Sequence, residues 1–179
     1  MKGIIFTEFL EIVESAFGLD VCQEMLDKAI DDGVYTAVGS YDHRSLVKLI
    51  VSLSKITGVP AENLQEIYGE AVFIRLLKTL PAIKPQHHDT FSFIRNVESH
   101  IHTEVKKLYP DATPPKFDFL SQTSTQLIMD YKSARCMSHV CLGLIKGCAK
   151  HFNQQLQVSM EPMNKEQSHV RFNLDLIAE

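Results

Sequence analysis

At 179 residues, with 45% apolar and 22% charged side chains, the chain has the balance of one globular domain that buries its own core without disulfides, and not that of a disordered segment. A formal net charge of −4, with Lys106-Lys107 as the largest basic cluster, gives nucleic acid no electrostatic footprint. No stretch approaches the ~18 consecutive apolar residues of a membrane span, and Glu8 and Glu11 interrupt the apolar start at helical spacing, so the N-terminus reads as an amphipathic helix of a cytoplasmic protein and not as a signal peptide.

Residues 4–17 place Ile4, Ile5, Phe9, Ile12, Val13 and Phe17 near helical spacing, and Gly18 stops the run. Residues 19–30 and 43–57 repeat the pattern, the latter ending at Gly58, and Pro60 opens a helix to about Leu80. Residues 81–88, PAIKPQHH, are a connection. A long helix is expected from Asp89, as N-cap, to Leu108, with the stripe Phe91, Ile94, Val97, Ile101, Val105 and Leu108 and Pro110 beyond its end. The period then changes to two: Phe117 and Phe119 suggest a short strand, and Leu127, Met129 and Tyr131 a second. A helix carrying Val140, Cys141, Leu144, Cys148 and Phe152 follows. Leu156, Val158, Met160 and then Val170, Phe172, Leu174, Leu176 alternate as a hairpin across residues 161–169. The fold class is α+β: a helical N-terminal lobe (residues 1–60), then a lobe (residues 61–179) with a long helix and an antiparallel sheet of about four strands, together one domain. Cys22, Cys136, Cys141 and Cys148 form no CxxC pair and read as reduced thiols filling the core.

Of eight histidines, His87 and His88 fall in the connection and read as solvent-exposed. His100 and His102 share the long helix but not a face. His100 lies among Asn96, Thr103 and Lys107. His102 lies beside Phe91, Glu98, Val105 and Tyr109 at the margin of the apolar stripe. There an imidazole can bind a metal through one nitrogen while a hydrogen bond holds the other, although on the helix alone an edge histidine packed under a loop is the more ordinary reading. Tyr131, Ser133 and Arg135 alternate at a strand end, on a face continuous with Leu127 and Met129, so three donors converge at the rim of an apolar surface. A guanidinium there needs an anion, and a carboxylate suits its paired N–H groups. An internal Asp or Glu satisfies that need as well as a ligand does.

Taken together, MKGIIF at the start, HTEVKKLYPDATPP, YKSARCM and CLGLIKG resemble the heme-nitric oxide/oxygen-binding (H-NOX) family, to which the heme domain of the soluble guanylate cyclase β subunit belongs, over essentially the whole chain. The resemblance implies heme b, with His102 as axial iron ligand and Tyr131, Ser133 and Arg135 holding the propionates. It implies that Pro115 and Ile5 press on the porphyrin. No zinc cluster is expected, since residues 161–172 hold no cysteine and only His169. Oxygen-binding members carry a distal tyrosine where this chain has Val140, and Phe9, Val72, Leu76 and Leu144 are the other expected distal residues. That apolar set favours a nitric oxide sensor, open also to carbon monoxide, over an oxygen-binding heme sensor. In the mechanism the resemblance implies, nitric oxide binds ferrous heme, weakens the iron–His102 bond and shifts the proximal helix, regulating a histidine kinase or diguanylate cyclase in trans. With no catalytic nucleophile or phosphate loop, no enzyme activity is expected. The contrasting reading is a cofactor-free helical interaction domain.

Overall fold

Glycines and acidic caps divide the first part of the chain into helices much as the pattern predicts. The computed structural model describes residues 1–79 and 89–177. In it α1 runs Ile4–Phe17 and α2 Leu19–Ala29, separated by Gly18 at φ 87, a conformation that only glycine adopts without strain. Helix α3, His43–Thr57, starts where the Asp42 side chain accepts the Arg44 N–H (2.9 Å) and ends at left-handed Gly58. Helix α4 is Ala61–Thr79. These helices enclose an N-terminal core of Phe6, Phe9, Val13, Met25, Leu46, Leu49, Ile50 and Leu53, joined by Leu64, Tyr68 and Val72 of α4 and by Met137. The 81–88 connection, with His87 and His88, lies outside the described residues.

The predicted long helix forms, but not as a regular one. Asp89 caps α5 (Thr90–Asn96) by accepting the Ser92 N–H at 2.8 Å; a π-turn over Val97–Ile101 follows, and then α6, His102–Leu108. A π-turn adds one residue to the turn and rotates everything beyond it relative to a regular helix. Leu108, expected on the inner stripe, is therefore 67% exposed.

Strands β1 (Lys116–Gln122), β2 (Gln126–Lys132), β3 (Leu156–Pro162) and β4 (His169–Leu176) form an antiparallel sheet in the order β1-β2-β4-β3. The register sets Phe117 opposite Tyr131 and Met129 opposite Phe172, so the alternation of each strand places its apolar side chains on one face. That face, with Leu127, Met129, Val170, Phe172 and Leu174 fully buried, packs with Phe91, Ile94 and the α7 residues Cys141, Ile145 and Cys148 into a second core. His169, on the other side of its strand, pairs with Asp130 at 2.8 Å, and Arg171 grips the same carboxylate.

Helix α7, Ser138–His151, crosses α4 at backbone contact. A Cβ added at Gly143 would lie 2.0 Å from the Glu66 carbonyl oxygen, and one at Gly69 2.2 Å from that of Val140. Lys146–Glu66 and Lys150–Glu70 ion pairs flank the crossing. Since the clash is with backbone, Gly143→Ala should separate the helices and cost about 1–3 kcal/mol of stability, read as a lower urea midpoint; an unchanged midpoint would show that the crossing is not tight.

Three cysteines, Cys22, Cys141 and Cys148, fill core positions as expected, but Cys136 does not. It is exposed at φ 53, in the turn that precedes α7, and so never joins the helical face its spacing suggested.

Candidate functional site

Between the two cores lies an apolar cavity. One side is built from α5 to α6 and the sheet, with Ile94, Val97, Ile101, His102, Val105, Phe117, Met129 and Tyr131; the other from the N-terminal segment, α4 and α7, with Ile4, Ile5, Tyr68, Leu76, Val140 and Leu144. Pro115, Ser133 and Arg135 also line it. Phe9 and Val72, expected at a distal face, are each 1% exposed within the N-terminal core and do not reach the cavity. Cys141 also reaches it, because α7 is buried around most of its circumference.

His102 follows directly on the π-turn. Its Nδ1 lies 3.0 Å from Glu98 Oε2, and that same oxygen accepts the Phe117 N–H at 3.1 Å. A carboxylate at Nδ1 holds the imidazole proton there, so the lone pair is on Nε2, which has no partner among the described residues. Burial lowers the pKa of the ring, outweighing the opposing pull of Glu98, and keeps it neutral. Phe117 packs beside it, ring centroids 5.4 Å apart. His100, by contrast, is exposed.

Tyr131, Ser133 and Arg135 converge, but not through strand alternation. Strand β2 ends at Lys132, and Ser133 and Arg135 sit in the turn beyond it, where Ser133 Oγ accepts the Arg135 N–H at 3.2 Å. The turn bends the chain toward α7 and so carries both side chains to the cavity. Burial pushes the Tyr131 phenol up to about 12, keeping it a protonated donor. Arg135 is half-buried, and desolvation lowers its pKa. Among the described residues no carboxylate lies within ion-pair distance of its guanidinium; its side-chain partner is the neutral Thr113 hydroxyl, at 2.9 Å. The internal Asp or Glu that would satisfy the arginine is therefore not there, and the half-buried cation stands ready for an external anion.

Residues 2–160 match the haem-NO-binding family. The chain belongs to that family. Among solved structures it is similar to the iron(II) unliganded H-NOX protein from K. algicida (35% identity, covering 100% of this chain and 98% of that one, TM-score 0.93). It is also similar to the IWP-051-bound H-NOX from Shewanella woodyi in the Fe(II)CO state (34%, 100% and 97%, 0.83) and to the S. oneidensis H-NOX in the Fe(II)NO state (26%, 99% and 100%, 0.90). Among curated proteins none matches. H-NOX domains are heme-based gas sensors, and the cavity fits the cofactor of the family. A heme needs a flat apolar slot, a neutral nitrogen ligand and donors for two carboxylates. Here the cavity walls, Nε2 of His102 and the Tyr131, Ser133 and Arg135 group are the residues that could supply them.

Three contributors escape the sequence reading of the site. Glu98 was visible as an i, i+4 neighbour of His102, but its second bond, to the Phe117 N–H, depends on β1 folding beside the helix. Thr113 carried no local signal at all, and the sequence reading puts Tyr68 on the apolar face of its helix but outside the pocket.

Proposed function

We propose that this chain is a nitric oxide sensor holding heme b in one domain, with His102 as the axial ligand, and that it regulates a histidine kinase or diguanylate cyclase in trans. The observation that carries this reading is His102, held through Nδ1 by Glu98, beside a cavity whose other side has apolar residues where a gas would sit. Heme b, when bound, would supply an iron that takes a diatomic gas. The residues of this chain do the rest. Tyr131, Ser133 and Arg135 hold the two carboxylates at the mouth by charge-assisted hydrogen bonds. Ile5 and Pro115, from separate parts of the chain, press on the flat faces of the slot.

Selectivity follows from donors. Bound oxygen takes up negative charge and gains from a hydrogen bond, while nitric oxide needs little such help. Val140, Leu144, Leu76 and Ile5 offer none. His139 does not line the cavity, and the Tyr68 hydroxyl is engaged elsewhere. Signal output runs through the Glu98 carboxylate: because one oxygen joins the His102 ring to the Phe117 amide, a displacement of His102 pulls on β1 as well as on its own helix. No helix of the described residues is long and apolar enough to cross a membrane.

The test is the absorption spectrum of the reduced, heme-loaded protein. Nitric oxide should change it at once, and air should produce no reversible oxygen-dependent spectrum. Val140→Tyr should add at most a weak oxygen response, since a single donor also has to be oriented. A stable, reversible oxygen spectrum in the unmodified protein would replace the nitric oxide reading with an oxygen one, and failure to retain heme would remove both.

A further inference from the structure

Resting on the gas-sensor reading, we infer that Tyr68 is a latent determinant of ligand selectivity, its hydroxyl proton withheld from the cavity by the backbone carbonyl of Ile5. Tyr68 is 2% exposed, lies edge-on to Phe9 with ring centroids 5.2 Å apart, and forms part of the cavity wall from α4. Its Oη donates to the Ile5 carbonyl oxygen at 2.8 Å. Burial pushes the phenol far above its ordinary pKa, so it stays protonated, and one proton serves one acceptor. Turned instead toward the cavity, that hydroxyl is the donor the apolar wall lacks.

The Ile5 carbonyl belongs to the first turn of α1, and the N-terminal strap ties down the start of that helix. Gly3 N–H donates to the Gly39 carbonyl and Ile4 N–H to that of Ala37, each at 2.9 Å, and Lys2 bridges to Ser40. Gly3 lies so close to residue 36 that an added Cβ would sit 1.9 Å from the Thr36 carbonyl oxygen. Gly3→Ala must therefore move the strap, and with it the acceptor that occupies Tyr68. Two residues far apart in sequence, 68 and 5, thus set whether the pocket presents a donor to its gas.

The experiment uses the full heme-loaded chain. In Gly3→Ala, oxygen affinity should rise at least about tenfold, the effect of one hydrogen bond to a charged group, and the C–O stretch of added carbon monoxide should fall; both effects should vanish in Gly3→Ala/Tyr68→Phe. Tyr68→Phe alone should move the Ile5 carbonyl 13C resonance. That resonance is resolved by 13C-carbonyl isoleucine with 15N-phenylalanine labelling, because Ile5-Phe6 is the single Ile-Phe dipeptide in the sequence. The inference is overturned if Tyr68→Phe leaves the Ile5 resonance in place, if folded Gly3→Ala gains no oxygen affinity, or if the gain survives without the Tyr68 hydroxyl. Should Gly3→Ala not fold, the Ile5 resonance in Tyr68→Phe decides. Absence of any nitric oxide response in the unmodified protein would instead strike the sensor reading and leave the labelling result standing.

Discussion

His102→Gly is expected to abolish axial ligation and to weaken heme retention by more than the roughly 10- to 100-fold that loss of an outer-shell partner costs. Among the described residues lining the cavity, the ring is the nitrogen donor with a free lone pair: its Nδ1–H donates to Glu98, and burial keeps it neutral. Glycine leaves a hole of imidazole shape next to Phe117, so free imidazole added to the variant should restore the native spectrum. His100→Ala should change neither spectrum nor retention, because His100 is exposed and does not line the cavity. The assignment fails if His100→Ala loses the cofactor while His102→Gly keeps its spectrum without added imidazole.

Arg135→Ala should speed heme loss by roughly ten- to a hundredfold, since a hydrogen bond to an ionised group contributes about 1.5–3 kcal/mol. Ser133→Ala, which removes a neutral hydroxyl, should do less. In the heme-free protein Arg135→Ala should cost little stability, because the guanidinium is bonded to the neutral Thr113 hydroxyl and lies half-desolvated without a carboxylate. The contrast between loaded and empty protein separates an anchor from a structural residue. Equal rates of heme transfer to a scavenging apoprotein from the unmodified protein, Arg135→Ala and the Tyr131/Ser133/Arg135 triple variant would remove the anchor hypothesis; a large stability loss in the empty Arg135→Ala protein would point to a structural role.

Much of the architecture was legible before any coordinates. Gly18, Gly58 and Asp89 punctuate the helices by local capping chemistry, and the change of period after Pro115 marks the sheet, because both signals are carried by neighbouring residues. The candidate site was legible in its residue types for a similar reason: His102 at the edge of an apolar stripe and a cluster of donors after β2 are local patterns. The irregularities were not. A π-turn adds a residue to the helix without altering the apolar spacing that was read, yet it turns Leu108 outward. Likewise the Ser133 to Arg135 segment has the alternation of a strand but folds as a turn, since β2 loses its partner when β4 ends its pairing at His169.

Composition and spacing by themselves determined which elements form, which faces are apolar and which side chains could ligate, donate or pack, because propensity, capping and periodicity act over a few residues. Only the tertiary structure decided which of those side chains are free to act. Among the described residues, Arg135 is left without a carboxylate, Phe9 and Val72 are held out of the cavity, Glu98 is shared between His102 and Phe117, and the Tyr68 proton is engaged by Ile5, 63 residues away. A hydrogen-bonding group takes the partner that packing brings within 3 Å or so, and the identity of that partner depends on where a distant part of the chain returns.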